Sequence, residues 1–104
     1  MFTKISFTRG DTKTLTAYAD NRPFEAGDTV RFTVKKNTAS PAVITKTITE
    51  FTEQGKAVIP LAHADTKDID FGSYIFDCEL TDSSGNVYTF VKGSFELTWE
   101  ATDE

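Results

Sequence analysis

The chain contains one histidine and one cysteine, the two residue types that most often carry nucleophilic or metal chemistry. His63 follows Pro60 in a polar stretch, whereas Cys78 alternates with Tyr74 and Phe76 along a predicted strand. A catalytic dyad would need both side chains to meet, and the alternation places Cys78 in the core instead. One histidine and one cysteine also cannot supply a structural zinc site. We therefore expect no enzyme activity and no cofactor, and we interpret Cys78 as a small buried hydrophobe.

Acidic side chains are frequent in the C-terminal half and raise the question of calcium binding. Their spacing does not match the twelve-residue calcium loop with its regular aspartates and central glycine. We interpret them as a solvated acidic face, with a weak ion site or a surface for a basic partner as the alternatives. The residues concerned are Asp65, Asp68, Asp70, Asp77, Glu79 and Asp82.

Arg9-Gly10-Asp11 spells the tripeptide that integrins read. Three-letter matches are common by chance, and glycine followed by aspartate between two strands is ordinary turn chemistry. We therefore predict a turn at this tripeptide.

Exposed aromatic side chains can build a platform on which sugars stack. Tyr18, Tyr88 and Phe90 are opposite the main apolar stripes of their predicted strands. Tyr88 and Phe90 alternate with Thr89 and Val91, however, so that strand is apolar on both sides, which favours a central strand or one covered by a neighbouring chain. Tyr88 and Phe90 are therefore candidate interface residues.

The length of 104 residues suits a single domain, 1–104, with one core. A net charge of −5 disfavours nucleic acid as a partner, because phosphate binding needs clustered lysine and arginine. No signal peptide and no run of 18 or more apolar residues is present, so we expect no membrane segment and synthesis in the cytoplasm.

Apolar residues alternate with polar ones in short runs separated by turns about every 8 to 12 residues, which is typical of a sandwich or barrel. This pattern predicts an all-β fold, an antiparallel β-sandwich of seven to eight strands. Residues 61–69 form the one possible helical turn, with Asp65 as its cap. We further predict a hairpin across Gly10, and breaks at Pro60 and Gly93. The predicted strands are Phe2–Thr8, Thr12–Ala19, Thr29–Lys36, Ala42–Phe51, Lys56–Ile59, Phe71–Thr81, Val87–Lys92 and Ser94–Thr102.

Two further residues carry predictions about packing. Phe24 lies between two turns, and we expect it to close one end of the core. Lys46 shares a strand face with Ile44 and Ile48, which predicts an edge strand or a bulge, where the amine reaches water.

Several short motifs, taken in order, resemble the N-terminal domain of phage baseplate upper proteins and related small tail-associated proteins of phages and prophages in Gram-positive bacteria. The resemblance covers nearly the whole chain. Its motifs are Phe7-Thr8-Arg9-Gly10-Asp11-Thr12, residues 27–35, Asp65-Thr66, Gly72-Ser73-Tyr74-Ile75-Phe76-Asp77, Leu80-Thr81, residues 85–89 and Gly93-Ser94-Phe95.

The resemblance implies an immunoglobulin-like sandwich with a structural role in the virion tail or baseplate. The implied partners are other phage tail proteins and copies of the chain itself, and the resemblance implies no catalytic residues. The matching glycines would keep the fold at turns or strand breaks: Gly10, Gly27, Gly72, Gly85 and Gly93. The expected function is thus a non-enzymatic phage or prophage tail protein. The alternative is a carbohydrate-binding or adhesive surface module.

Overall fold

The computed structural model describes residues 2–18, 24–51 and 56–99, and these contain seven strands and one short helix. Strands make up most of this part of the chain, as the alternating pattern predicted. The elements are β1 (Phe2–Thr8), β2 (Lys13–Tyr18), β3 (Thr29–Lys35), β4 (Ala42–Ile48), β5 (Lys56–Leu61), α1 (His63–Thr66), β6 (Gly72–Thr81) and β7 (Val87–Thr98).

Two sheets of unequal size enclose the core. The larger has the strand order β1-β7-β6-β3-β4, and the smaller pairs β2 with β5. The predicted all-β sandwich of seven to eight strands is confirmed. One pairing differs from the prediction, because β1 lies parallel to β7 while the other neighbours are antiparallel. Two parallel strands need a long connection between them. Here the elements from β2 to β6 form the connection between β1 and β7.

Alternation along the central strands places one face in the core. In β3 the side chains of Val30, Phe32 and Val34 are completely buried, while Arg31 is exposed. In β6 the same pattern buries four residues opposite them, as predicted. These are Tyr74, Phe76, Cys78 and Leu80.

The prediction of a hairpin across Gly10 is wrong. A turn does form there, because Asp11 N donates to Thr8 O at 3.1 Å and Gly10 has a φ of +85°, which L-residues with side chains rarely adopt. The turn prediction for the tripeptide is therefore confirmed. The strands on either side nevertheless enter different sheets, since β1 pairs with β7 and β2 pairs with β5.

The predicted strand breaks at Gly93 and Pro60 are also wrong. Gly93 lies inside β7, buried between Phe76 of β6 and Thr3 of β1. Pro60 lies inside β5 opposite Thr14. Proline is tolerated because β5 belongs to a two-stranded sheet, where one side of the backbone needs no ladder hydrogen bond.

The helical turn is shorter than residues 61–69, and it begins three positions earlier than an Asp65 cap requires. Ala62 is the N-cap residue of α1, and Asp65 lies in the first turn. The Asp65 carboxylate still accepts a hydrogen bond from Ala62 N at 2.7 Å. It therefore satisfies a backbone donor at the helix start.

Lys46 lies on an edge strand, as predicted. Its strand, β4, is the last in the five-stranded sheet, and Lys46 is paired with Phe32 of β3. Its side chain is 28% exposed, and its amine forms a 2.9 Å ion pair with Asp65. An inward-pointing charge on an edge strand discourages pairing with other chains.

Phe24 closes one end of the core, as predicted. Its side chain is 3% exposed, and its ring lies 5.1 Å from that of Phe51 and 5.4 Å from that of Phe90.

Replacing Phe24 by alanine is expected to lower the free energy of unfolding by about 3 to 5 kcal/mol, because the end of the core would contain a cavity. Urea denaturation measures this change. Val43→Ala is the control, since Val43 is 41% exposed, and it should cost less than about 1 kcal/mol. Equal losses in the two variants would show that Phe24 does not seal the core.

Candidate interaction surface

A β-bulge at Phe90 explains why the first half of β7 is apolar on both sides in the sequence. Val91 lies opposite Cys78 and Thr89 lies opposite Glu79, so Phe90 is an extra residue with no partner on β6. A bulge lets two consecutive side chains point toward the same face. Phe90 and Val91 both pack against the core. The apolar character of this strand is thus partly satisfied within the chain.

Among the residues that the structure describes, the first five of β7, Val87–Val91, have a strand neighbour on one side only, and we call this segment the free edge. On one side it pairs with β6. On the other, β1 begins with Phe2 opposite Lys92. Within residues 2–18, 24–51 and 56–99, no strand lies beside the outer side of the free edge.

Two apolar side chains of the free edge face solvent. Val87 is 56% exposed and Tyr88 is 52% exposed, although Tyr88 is paired with the buried Leu80. Of the predicted interface residues, Tyr88 therefore belongs to an open surface, whereas Phe90 is half-buried by contact with Phe24.

The free edge has neither the charged residue nor the proline that protects the other edge strands, and the β-bulge at Phe90 is the feature within it that hinders pairing. Edge strands are commonly protected by charged residues or proline, as β4 is by Lys46 and β5 by Pro60. The free edge, by contrast, reads Val-Tyr-Thr-Phe-Val, with neither a charge nor a proline. These are residues with high strand propensity.

A tight loop holds the free edge in strand conformation. The Asp82 carboxylate accepts hydrogen bonds from Ser84 N at 2.9 Å and Asn86 N at 3.0 Å, and Asp82 N donates to Asn86 O at 2.9 Å. Gly85 has a φ of +89° in this loop. The backbone groups beyond it are therefore presented without further ordering of the chain.

The outer face of the five-stranded sheet contains an open groove of about 520 Å³. Asp77 lies in it between Lys35 and Lys92, of which Lys92 is its direct neighbour on β7. Burial raises the pKa of the Asp77 carboxyl, Glu79 raises it further, and Lys35 opposes both.

The predicted acidic face is not a surface of one sign. On β6, Asp77 lies opposite Lys92 of β7, and Glu79 lies opposite Arg31 of β3. Opposite charges on neighbouring strands attract. Among the described residues, no group of three or more histidine, cysteine, aspartate or glutamate side chains is arranged to hold a metal ion.

His63 and Cys78 have separate structural roles. Nδ1 of His63 lies 2.6 Å from the carbonyl oxygen of Gly10, and Cys78 is 2% exposed in the core. Burial, with a smaller effect of Asp77, raises the pKa of the Cys78 thiol to about 12. The interpretation of Cys78 as a buried hydrophobe is confirmed.

The other residues singled out in the sequence, the turn glycines, Arg9 and Tyr18, lie outside the free edge. Gly10, Gly27, Gly72 and Gly85 all have positive φ, whereas Gly93 does not. Arg9 lies over the ring of Phe71, 5.3 Å from its centroid. Tyr18 ends β2, and its side chain is outside those that the structure describes.

The fold defines a class, the all-β sandwiches, and comparison with solved structures agrees. The chain is similar to the crystal structure of CopC from Methylosinus trichosporium OB3b, with a TM-score of 0.56 and 12% identity over 95% of this chain and 87% of that one. No protein-family model matches the sequence. No curated protein matches it either.

The predicted phage or prophage tail function is contradicted by this comparison. A similar solved structure is a CopC and not a tail protein, and no family match supports the resemblance. Turn glycines and alternating strands recur in many sandwiches, so an ordered set of them indicates a fold and not a function. The sugar platform is not supported either, because Phe90 packs against Phe24.

No helix in the described part of the chain is long and apolar enough to span a membrane.

The raised pKa predicts that Cys78 is inert in the folded protein. Moving the thiol pKa from 9.0 to about 12 lowers the thiolate fraction at pH 8 about a thousandfold. Alkylation by iodoacetamide, followed by intact mass, should be slower by at least about a hundredfold in the native chain than in denaturant. Native and denatured rates within tenfold of each other would contradict this burial.

The ion pair of Lys46 with Asp65 predicts a pH dependence of stability. Burial raises the pKa of Asp65, but the hydrogen bonds from Ala62 N and Lys46 outweigh it and hold the pKa below 3.8. The carboxylate therefore stabilises the fold above pH 3.8 and loses this effect as pH falls through the lowered pKa.

Asp65→Asn is expected to cost about 0.5 to 1.5 kcal/mol at pH 7, and the difference from wild type should shrink below pH 3.8. Denaturation at pH 7 and pH 3 measures both values. Asp68→Asn, at a neighbouring exposed position, is the control and should match wild type at pH 7. A loss for Asp65→Asn that does not change with pH would exclude the ionic contribution.

Proposed function

We propose that this chain is a non-enzymatic binding module that adds an extended polypeptide strand to its five-stranded sheet at the free edge. The single observation that carries the proposal is the register of β1. Because β1 starts opposite Lys92, residues 87–91 present one side of a strand backbone with no described neighbour.

Strand addition is a common mode of peptide recognition. The main-chain N–H and C=O groups of the edge form hydrogen bonds with the incoming strand, and the side chains along the edge determine which peptide sequences bind. Val87 and Tyr88 are exposed beside those groups. They offer the β-branched and aromatic surfaces that form favourable pairs across neighbouring strands.

The rigidity of the surroundings supports the proposal. The Asp82 hydrogen bonds hold one end of the free edge, and the packing of Phe90 against Phe24 holds the other half from within. A preformed strand loses little conformational entropy when it binds.

The most reactive side chains are committed to the fold, which supports a non-enzymatic role. Cys78 lies in the core with a raised thiol pKa. His63 contacts the Gly10 carbonyl through Nδ1.

A peptide selection tests the proposal. A random heptapeptide library is selected on the wild-type chain, and the affinities of the selected peptides are then measured on two double variants. Val87→Lys with Thr89→Lys blocks the free edge with charge at two exposed positions. Val43→Lys with Val58→Lys adds the same charge at two residues that are each 41% exposed on other strands.

We expect peptides that bind the control variant as they bind wild type and bind the edge-blocked variant at least about tenfold more weakly, a difference of about 1.4 kcal/mol. Circular dichroism checks that both variants fold. Peptides that bind all three proteins equally would overturn the proposal, and so would a selection that yields no binder.

A further inference from the structure

The groove on the outer face of the five-stranded sheet is separate from the free edge and has features of its own. We propose that it binds a small amino acid with two carboxylates and one ammonium group, such as glutamate. Its volume of about 520 Å³ lies in the range of roughly 300 to 1,000 Å³ that is usual for small-molecule sites.

Among the described residues, three charged side chains line the groove, in the order positive, negative, positive across three neighbouring strands. Asp77 is on the middle strand, β6, and Lys92 is directly opposite it on β7. On β3, Thr33 is opposite Asp77, and Lys35 follows two positions later on the same face. Such a diagonal neighbour is about 7 to 8 Å away, within reach of a long side chain, so both amines can flank the carboxylate.

The charges within the groove do not balance. Two lysines and one aspartate give its lining a net charge of +1, although the whole chain has a net charge of −5. A matching ligand has the opposite order, negative, positive, negative. Glutamate has this pattern, with an ammonium group for Asp77 and one carboxylate for each of Lys35 and Lys92.

The surroundings of Asp77 favour a positive group beside it. Burial raises the pKa of its carboxyl and Glu79 raises it further, while Lys35 opposes both. A raised pKa means that the surroundings disfavour the carboxylate relative to the neutral acid. The ammonium group of a ligand relieves this effect, because an opposite charge within about 4 to 6 Å favours the charged form.

The groove also offers contacts for the remaining atoms of the ligand. Ile75 lies on the same face of β6 as Asp77, opposite Lys35, and is 38% exposed. It can contact the methylene groups between the two carboxylates. Thr33 and Thr38 add hydroxyl groups to the lining, and hydroxyls can donate hydrogen bonds to carboxylates.

The openness of the groove limits its affinity. Ion pairs that remain accessible to water are individually weak and are screened by salt. We therefore expect a dissociation constant for glutamate of about 0.1 to 10 mM.

An NMR titration with matched small molecules tests the class of ligand. Glutamate should shift the backbone amide signals of Thr33, Ile75 and Lys92 until they saturate. Glutamine lacks the second carboxylate, glutarate lacks the ammonium group, and 4-aminobutyrate lacks the first carboxylate. At equal pH and ionic strength, each should bind at least about fivefold more weakly, because each loses one of the three ionic contacts.

Two results of this titration would overturn the proposal. Glutarate that binds as tightly as glutamate would show that the groove attracts anions and does not recognise an ammonium group. Shifts that do not saturate at any of the three residues, or an absence of shifts, would show that the groove does not bind glutamate.

Matched variants test the residues. Asp77→Asn and Lys92→Gln each remove one charge from the groove with little change in size, and each should weaken glutamate binding at least about fivefold. Asp68→Asn and Lys13→Gln remove the same charges at exposed positions outside the lining and should stay within twofold of wild type. Circular dichroism checks that all four fold.

The sign of the Asp77→Asn effect is decisive. Asp77 would repel a simple anion, so its replacement would strengthen the binding of such an anion, whereas it should weaken the binding of glutamate. Tighter glutamate binding in Asp77→Asn, or equal losses in the groove and control variants, would overturn the proposal.

The groove and the free edge can fail separately. Asp77→Asn leaves residues 87–91 unchanged, so it should bind the peptides selected on the free edge as wild type does. A lack of glutamate binding together with edge-dependent peptide binding would exclude the groove site and keep the proposed function. Glutamate binding without peptide binding would do the reverse.

Discussion

The parallel pairing of β1 with β7 is the contact on which the larger sheet depends. Seven residues of β1 pair with residues 92–98 of the twelve-residue β7, and the Phe7 and Phe95 rings meet edge to face at 5.3 Å. Because β1 pairs with only this half of β7, the other half has, in the described part of the chain, a neighbour on one side only. The same register thus builds the sheet and creates its free edge.

A second group of contacts joins the two sheets where the chain leaves β1. Gly10 N donates to the Thr66 hydroxyl at 2.8 Å, His63 lies against the Gly10 carbonyl, and Lys46 is paired with Asp65. His63 and Asp65, which the sequence singles out for possible chemistry, thereby connect α1 with the turn after β1 and, through Lys46, with β4. The proposed function therefore rests on the strand backbone and not on a cluster of reactive side chains.

The likeness to CopC at 12% identity shows how little of a sandwich fold depends on particular residues. A sandwich needs alternating apolar positions and suitable turns, and many sequences supply them. The same fold therefore supports many functions. For this reason the proposed function rests on one strand edge of this chain and not on the similarity to CopC.

Local patterns in the sequence determined the class of fold and much of its core. Period-two alternation assigned the inward faces of β3 and β6, buried Cys78, and marked β4 as an edge through Lys46. Local alternation specifies which face a side chain takes, but not which strand lies beside it. Only the tertiary structure placed β1 beside β7, about ninety residues away, and β2 beside β5. It also decided that Phe90 forms a bulge and that Gly93 continues a strand, since both depend on the opposing strand. The candidate interface at Tyr88 was visible in the sequence as an excess of apolar residues. The backbone that has no described neighbour, on which the proposed function rests, follows from the register of β1 against β7, which local sequence does not encode.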